Sequence, residues 1–140
     1  MVFKGTLEEY LFVSEIVPER MYMFNKDLKT GLSVIWNIGT KAEFIIDSQP
    51  IAVKKDCFLF LTSFHTIQKI EFEKLRVIQF NQPFYCVENH DSDVGCKGLL
   101  FFGASTIPKI RIDHEEKKQF ELIWKVLEME IEQKDDYSLE

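Results

Sequence analysis

Histidine and cysteine, the commonest zinc ligands, number three each in this 140-residue chain, and their spacing suits a metal or catalytic site poorly. The three histidines, His65, His90 and His114, fall in separate segments. A β-barrel becomes a metalloenzyme when three or four ligands converge inside it, and one histidine within the strand-rich middle is too few. Cys86, His90 and Cys96 form a C-x3-H-x5-C pattern with three zinc donors in a short span. Structural zinc usually takes four ligands with tighter cysteine pairs, and the nearby fourth candidates are Glu88, Asp91 and Asp93. The expectation is therefore a loop with buried thiols and a locally hydrogen-bonded histidine, with no metal, no cofactor and no catalytic residue.

The remaining chemistry is that of binding. His65 follows an aromatic residue at a strand end, where it either contacts a small effector or closes a turn. Asn37 and Gln79 are amides within apolar strands, and burying an amide costs about 1–3 kcal/mol unless it is hydrogen-bonded. A ligand, water or backbone can supply those bonds. Trp36 and Phe80 beside them are either one wall of a small-molecule pocket or plain core.

Short segments must position these residues. Leu32–Ile38, Glu43–Asp47, Ile51–Lys54, Cys57–Thr62, Ile67–Phe72 and Leu75–Phe80 are rich in branched and aromatic residues, and polar turns separate them. Such strands in quick succession predict a closed or two-layered β unit, because parallel βα units need helices between them. On the first strand Ser33, Ile35 and Asn37 share one face, and Leu32, Val34, Trp36 and Ile38 share the other. Pro50 reads as the end of a turn, and Phe72–Leu75 as a two-residue hairpin with unfavoured turn residues. Thr6–Glu9 matches a helix capping box, yet Tyr10–Val13 is equally strand-like. Val87–Lys97 reads as a polar loop or short helix, while Leu99–Phe102 and Ile107–Ile112 read as buried strands.

From Asp113 the period changes to that of a helix, with Glu115 and Glu116 in its favourable first turn. Phe120, Ile123, Trp124, Leu127 and Ile131 make one apolar stripe. Leu122, Val126 and Met129 make a second beside it, which either widens the contact with the same domain or pairs with a second copy. The domains expected are thus 1–112, a barrel, and 113–140, a dimerisation or linker helix.

Composition narrows the class. Hydrophobic residues are 46% of the chain and include 13 phenylalanines, which excludes a disordered polymer. No apolar run approaches a membrane span, and the acid-containing N-terminus is not a secretion signal. Three cysteines in such a chain point to reduced thiols in a cytoplasm, with Cys57 as core. Residues 1–112 hold 13 acidic and 13 basic side chains and residues 113–140 hold 10 and 4, so the helix carries the whole net charge of −6. No basic stripe is present for nucleic acid.

The stretch GTKAEFIIDSQPIAVKKDCFLFLTSFHTIQKI from Gly39 resembles the cupin core of AraC-type transcriptional regulators. The later QFNQPFYCVENHDSDVGCKGLLFFGASTIPKI from Gln79 is similar to a Bacteroidetes-type subgroup of them. The helix after Asp113 lies where that family places its dimerisation helix, and the likeness spans Ile35 to Lys134. It implies a mostly β fold: a cupin-like double-stranded β-helix (jelly-roll) barrel followed by an amphipathic helix. It also implies a non-enzymatic domain that binds a small effector such as a sugar or another metabolite. The site would comprise Trp36, Asn37, His65, Gln79 and Phe80, and pairing would run through Leu122, Val126 and Met129. Such regulators continue into a helix-turn-helix domain, so the chain reads as their truncated sensor half, reaching DNA only through the missing part. Metal-binding cupins place two histidines one residue apart before a glutamate and a further histidine, and Ser63-Phe64-His65-Thr66 lacks that pair. A metal-dependent isomerase or dioxygenase is accordingly a weaker reading, as is a stand-alone carbohydrate-binding module.

Overall fold

A computed structural model describes residues 2–4, 10–24, 31–81 and 107–138 of the chain. Nine strands are formed by these residues: β1 (Val2–Lys4), β2 (Tyr10–Ile16), β3 (Gly31–Asn37), β4 (Ala42–Ile46), β5 (Gln49–Val53), β6 (Cys57–Thr62), β7 (Ile67–Glu71), β8 (Leu75–Asn81) and β9 (Lys109–Arg111). A 3-10 turn, Pro18–Met23, follows β2, and one long helix, α1 (His114–Ser138), closes the chain. Pairing is antiparallel throughout, in a six-stranded sheet of order β1-β2-β8-β3-β6-β9 and a three-stranded sheet of order β5-β4-β7. The molecule is therefore mostly β with one C-terminal helix.

Strand alternation sorts the side chains into two cores. Phe12, Ile16, Ile35, Leu59, Leu61, Leu75 and Val77 leave one face of the large sheet and meet Ala42, Phe44, Ile46 and Val53 from the small one. Leu11, Val13, Leu32, Trp36, Phe58 and Phe60 leave the opposite face and are covered by Trp124 and Ile131 of α1. A period of two places consecutive residues on opposite sides. Both sides of β6 are apolar for this reason, and all six of its residues are buried.

Local chemistry explains the turns. Asp47 and Ser48 have φ of 52° and 66°, the left-handed pair that a tight two-residue hairpin between β4 and β5 demands. Asp47 is pinned there, since its N–H donates to the Thr66 carbonyl and its Oδ1 accepts from the Thr66 N–H, both at 2.9 Å. Pro50 lies inside β5 rather than ending a turn, and it is tolerated because β5 is an edge strand with no neighbour on one side.

The expected hairpin at Phe72–Leu75 is absent. β7 belongs to the small sheet and β8 to the large one, so Glu73-Lys74 is a crossing between sheets. That crossing is held by Ile38 and Gly39, whose N–H groups both donate to the Lys74 carbonyl. The approach is close enough that a Cβ on Gly39 would lie 2.9 Å from the Lys74 nitrogen. The ambiguity at Tyr10–Val13 resolves as strand β2, while the capping box at Thr6–Glu9 lies outside the described residues, as do Val87–Lys97 and Leu99–Phe102. Ile107–Ile112 is not a buried strand: Lys109–Arg111 forms an exposed edge, and Ile112 turns inward. α1 opens on a reciprocal cap in which the Glu116 N–H donates to Asp113 Oδ1 at 2.8 Å and the Asp113 N–H to Glu116 Oε1 at 3.0 Å.

Asn37 is a structural tie at the end of β3. Fully buried, it donates through Nδ2 to the carbonyls of Thr40 (2.6 Å) and Val53 (2.8 Å), and its Oδ1 accepts from the Gly39 N–H at 3.1 Å. Every hydrogen bond of the amide is spent on turns that join the two sheets. Asn37→Ala takes the donor from the Thr40 and Val53 carbonyls, while the Gly39 N–H keeps the Lys74 carbonyl, and should lower unfolding free energy by about 2–4 kcal/mol, read from the urea midpoint at unchanged m-value.

Candidate functional site

The five residues expected to share a pocket are divided by the large sheet. Asn37 and Gln79 face the interior between the sheets, where Gln79 Nε2 donates to Ser33 Oγ at 3.2 Å. Trp36 and Phe80 leave the opposite face and join the core under α1. Even these two are separated, because Trp36 pairs with Arg76 and Leu32 with Phe80, four residues apart along β3, or about 13 Å of strand. His65 stands at the far end from Asn37, beyond Thr62. Its Nδ1 accepts from the Thr62 N–H at 2.9 Å, and its own N–H donates to the Thr62 carbonyl at 3.1 Å. Of its two alternatives, closing a turn is the one seen here.

A cleft of about 260 Å³ opens instead between α1 and the outer face of the large sheet. Its floor is Val34 and Trp36 of β3, Phe58 and Phe60 of β6, and Arg76 and Ile78 of β8; α1 contributes Phe120, Ile123, Trp124 and Leu127. The aromatic rings interlock edge to face, with Trp36–Phe58 centroids 5.3 Å apart at 87° and Phe58–Phe120 4.9 Å apart at 83°. Pairs of this kind are worth about 0.5–1.5 kcal/mol beyond burial.

Arg76 is the polar centre of the cleft. Its guanidinium lies 4.6 Å from the Trp36 ring centroid and 5.3 Å from that of Trp124. Nε donates to Glu15 Oε2 at 3.1 Å and a terminal nitrogen to Glu121 Oε2 at 2.8 Å. Burying this charge is possible because both carboxylates meet the planar fork while its faces lie on indoles. Lys74 adds a contact to Glu15 at 3.2 Å. Burial pushes the Glu15 carboxyl up, but the hydrogen bonds and charges of Lys74 and Arg76 outweigh it and hold the carboxyl below its ordinary 4.5. The indole N–H groups of both tryptophans are buried without an acceptor among the described residues.

Outside the cleft, Leu122, Val126 and Met129 stand exposed on the far side of α1 at 65%, 55% and 58%, with Ile123 at the rim. Ile123 belongs to the inner stripe by spacing yet is half-exposed. Among the described residues no group of three His, Cys, Asp or Glu side chains is placed to hold a metal. Cys86, His90 and Cys96 lie outside those residues, and Cys57 is a buried thiol in the core. No helix among them is long and apolar enough to cross a membrane.

Arg76 and Phe58 carry the cleft but were not singled out by sequence. Parity was the usable signal: Arg76, Ile78 and Phe80 alternate with Leu75, Val77 and Gln79, which puts a charge on the same face as a strand of large apolar residues. Compared with models of protein families, with curated proteins and with solved structures, the chain finds no match.

Because the folded Glu15 pKa is depressed, the stability it contributes is complete above its unfolded value and is lost as pH falls through the folded one. The urea midpoint should therefore fall on acidification from pH 6 to pH 3. Glu15→Gln should lower the pH 6 midpoint and flatten that fall. Arg76→Leu removes the guanidinium from Glu121, leaves Glu15 with Lys74 alone and strips the indole faces, a loss of about 2–4 kcal/mol. Arg76→Lys recovers the charge without the fork or the flat face and should restore less than half of that loss.

Proposed function

We propose that this chain is the non-enzymatic sensing and pairing module of a cytoplasmic transcription regulator similar to the AraC type. The observation that carries the reading is the double character of α1. One side closes over a ligand-sized aromatic cleft, and the other presents Leu122, Val126 and Met129 to solvent. Exposed apolar stripes of this kind mark interaction surfaces, and a stripe that recurs along one helix suits self-pairing about a two-fold axis. A ligand under the helix that favours one helix position over another then changes how two copies meet, which is the differential affinity that a switch requires.

Strand connectivity supports a cupin-like jelly roll. The chain passes from β3 in the large sheet to β4 and β5 in the small one, back to β6, over to β7 and back to β8. Jelly rolls are built by such repeated crossing between two facing antiparallel sheets. DNA reading in this scheme belongs to a separate domain joined to α1.

Sedimentation velocity at tens of micromolar tests the pairing. The expected result is a dimer, and Leu122→Glu with Val126→Glu should weaken it at least about a hundredfold, since two uncompensated charges on an apolar interface cost about 3 kcal/mol or more. Both positions are exposed in the single chain, so the thermal midpoint of the double variant should stay near that of the parent. A parent chain that sediments as a monomer throughout overturns the pairing reading.

A further inference from the structure

We propose that the cleft between α1 and the large sheet, rather than the space between the sheets, is the effector site, and that it takes a neutral one- or two-ring molecule carrying a hydrogen-bond acceptor. The proposal rests on the sensing role above and deepens it by naming the seat and the chemical class of the ligand.

Size sets the first limit. The cleft holds about 260 Å³, more than the ~150 Å³ apolar cavity that accepts benzene and just under the ~300 Å³ at which drug-sized pockets begin. Its walls favour a flat ring, because Phe58, Phe60 and Phe120 already pack edge to face and leave ring edges and faces as the available surface.

Charge sets the second limit. Arg76 is matched by Glu15 and Glu121, Lys74 also meets Glu15, and Glu116 lines the cleft. Three carboxylates against two cations offer an anion no net attraction. A cation fares no better, since the guanidinium of Arg76 already lies over both indole rings and repels a second positive charge. Neutral molecules remain.

The acceptor follows from the indoles. Trp36 and Trp124 line the cleft and are each 4% exposed, and neither N–H has an acceptor among the described residues. A buried donor left unmatched costs about 1–3 kcal/mol, and buried tryptophans normally find a partner. Two such donors on residues lining one cleft are more than packing needs. A carbonyl or ether oxygen on a ligand whose entry tilts either buried ring relieves at least one of them.

The chain contains two tryptophans, so the indole region of its 1H–15N spectrum reports this cleft and nothing else. Titration with coumarin, a two-ring lactone, should shift both indole resonances saturably at one-to-one stoichiometry and move at least one N–H downfield. At least one of Trp36→Phe and Trp124→Phe should weaken coumarin about fivefold, the worth of one net hydrogen bond, while naphthalene, which has no acceptor, changes by less than about twofold. Ile123→Tyr, at a half-exposed rim position, should abolish binding of both probes with the fold intact by circular dichroism. The proposal is overturned by coumarin that gives no saturable shift up to about 5 mM, a bound weaker than that of ordinary metabolite sites. It is also overturned if both phenylalanine variants lose coumarin and naphthalene equally, or if the indole resonances move with protein concentration in the absence of probe, the sign of a second copy seated in the cleft. Sedimentation of the same samples keeps the two readings apart, because a monomer can bind coumarin and a dimer can fail to.

Discussion

Arg76 is the residue on which the arrangement of sheet and helix depends. A guanidinium set into an apolar layer is unfavourable unless its donors are met and its faces covered. Here Glu15 of β2 meets one side, Glu121 of α1 meets another, and the rings of Trp36 and Trp124 cover the faces. Those partners come from two strands and the helix, so satisfying one charge fixes where α1 lies on the sheet. Hydrophobic contact by itself is non-directional and would allow the helix to slide. The charge removes that freedom, which is also why the helix stands over an open cleft without collapsing into it.

The large sheet makes this possible by being buried on both faces. Antiparallel sheets commonly leave one face to water, yet β3 and β6 are buried on both sides. One face of the sheet packs against the small sheet and the other receives α1. Amides on the inner face are consequently held by the protein's own backbone and hydroxyls, as Asn37 and Gln79 are. The outer face keeps two unmatched indole donors. Polar groups in the two layers thus differ in status: the inner amides are held by the protein itself, whereas in the outer layer Arg76 is matched and the two indole donors are not.

Much of the strand ladder was legible in the sequence because strand signals are local. β4, β6 and β8 start or end within a residue or two of the segments that alternation and turn chemistry mark out. Pairing was not legible, because it joins residues distant in sequence: β8 sits between β2 and β3, and the crossing at Glu73-Lys74 looks like a hairpin until the sheets are known. The two faces of β3 were readable from parity, and that parity already separated Trp36 from Asn37. The helix was read more fully, including its start at Asp113 or His114 and its second stripe, since helical spacing is strictly local. Ile123 is the exception, half-exposed although it falls in the inner stripe, because the helix stands away from the sheet where the cleft opens.

That departure by Ile123 bears on how sensing and pairing can share one helix. Ile123 lines the cleft and adjoins the outer stripe of Leu122 and Val126. A molecule entering beneath it meets a helix that is tethered at two kinds of point. Toward its C-terminal part Ile131 is fully buried against the sheet, and at its start the Asp113–Glu116 cap and the Lys117–Asp56 contact at 3.4 Å hold the first turn. Between those tethers the inner contacts are the Arg76–Glu121 ion pair and edge-on aromatic rings, and rings can tilt with little loss of contact area where a close-packed aliphatic layer cannot. In the proposed scheme, ligand volume added there acts on the middle of the helix. The middle is also where the outer stripe lies, so a displacement of the inner surface would be a displacement of the proposed pairing surface. Coupling of that kind would need no long pathway, because the two surfaces are opposite sides of the same two helical turns.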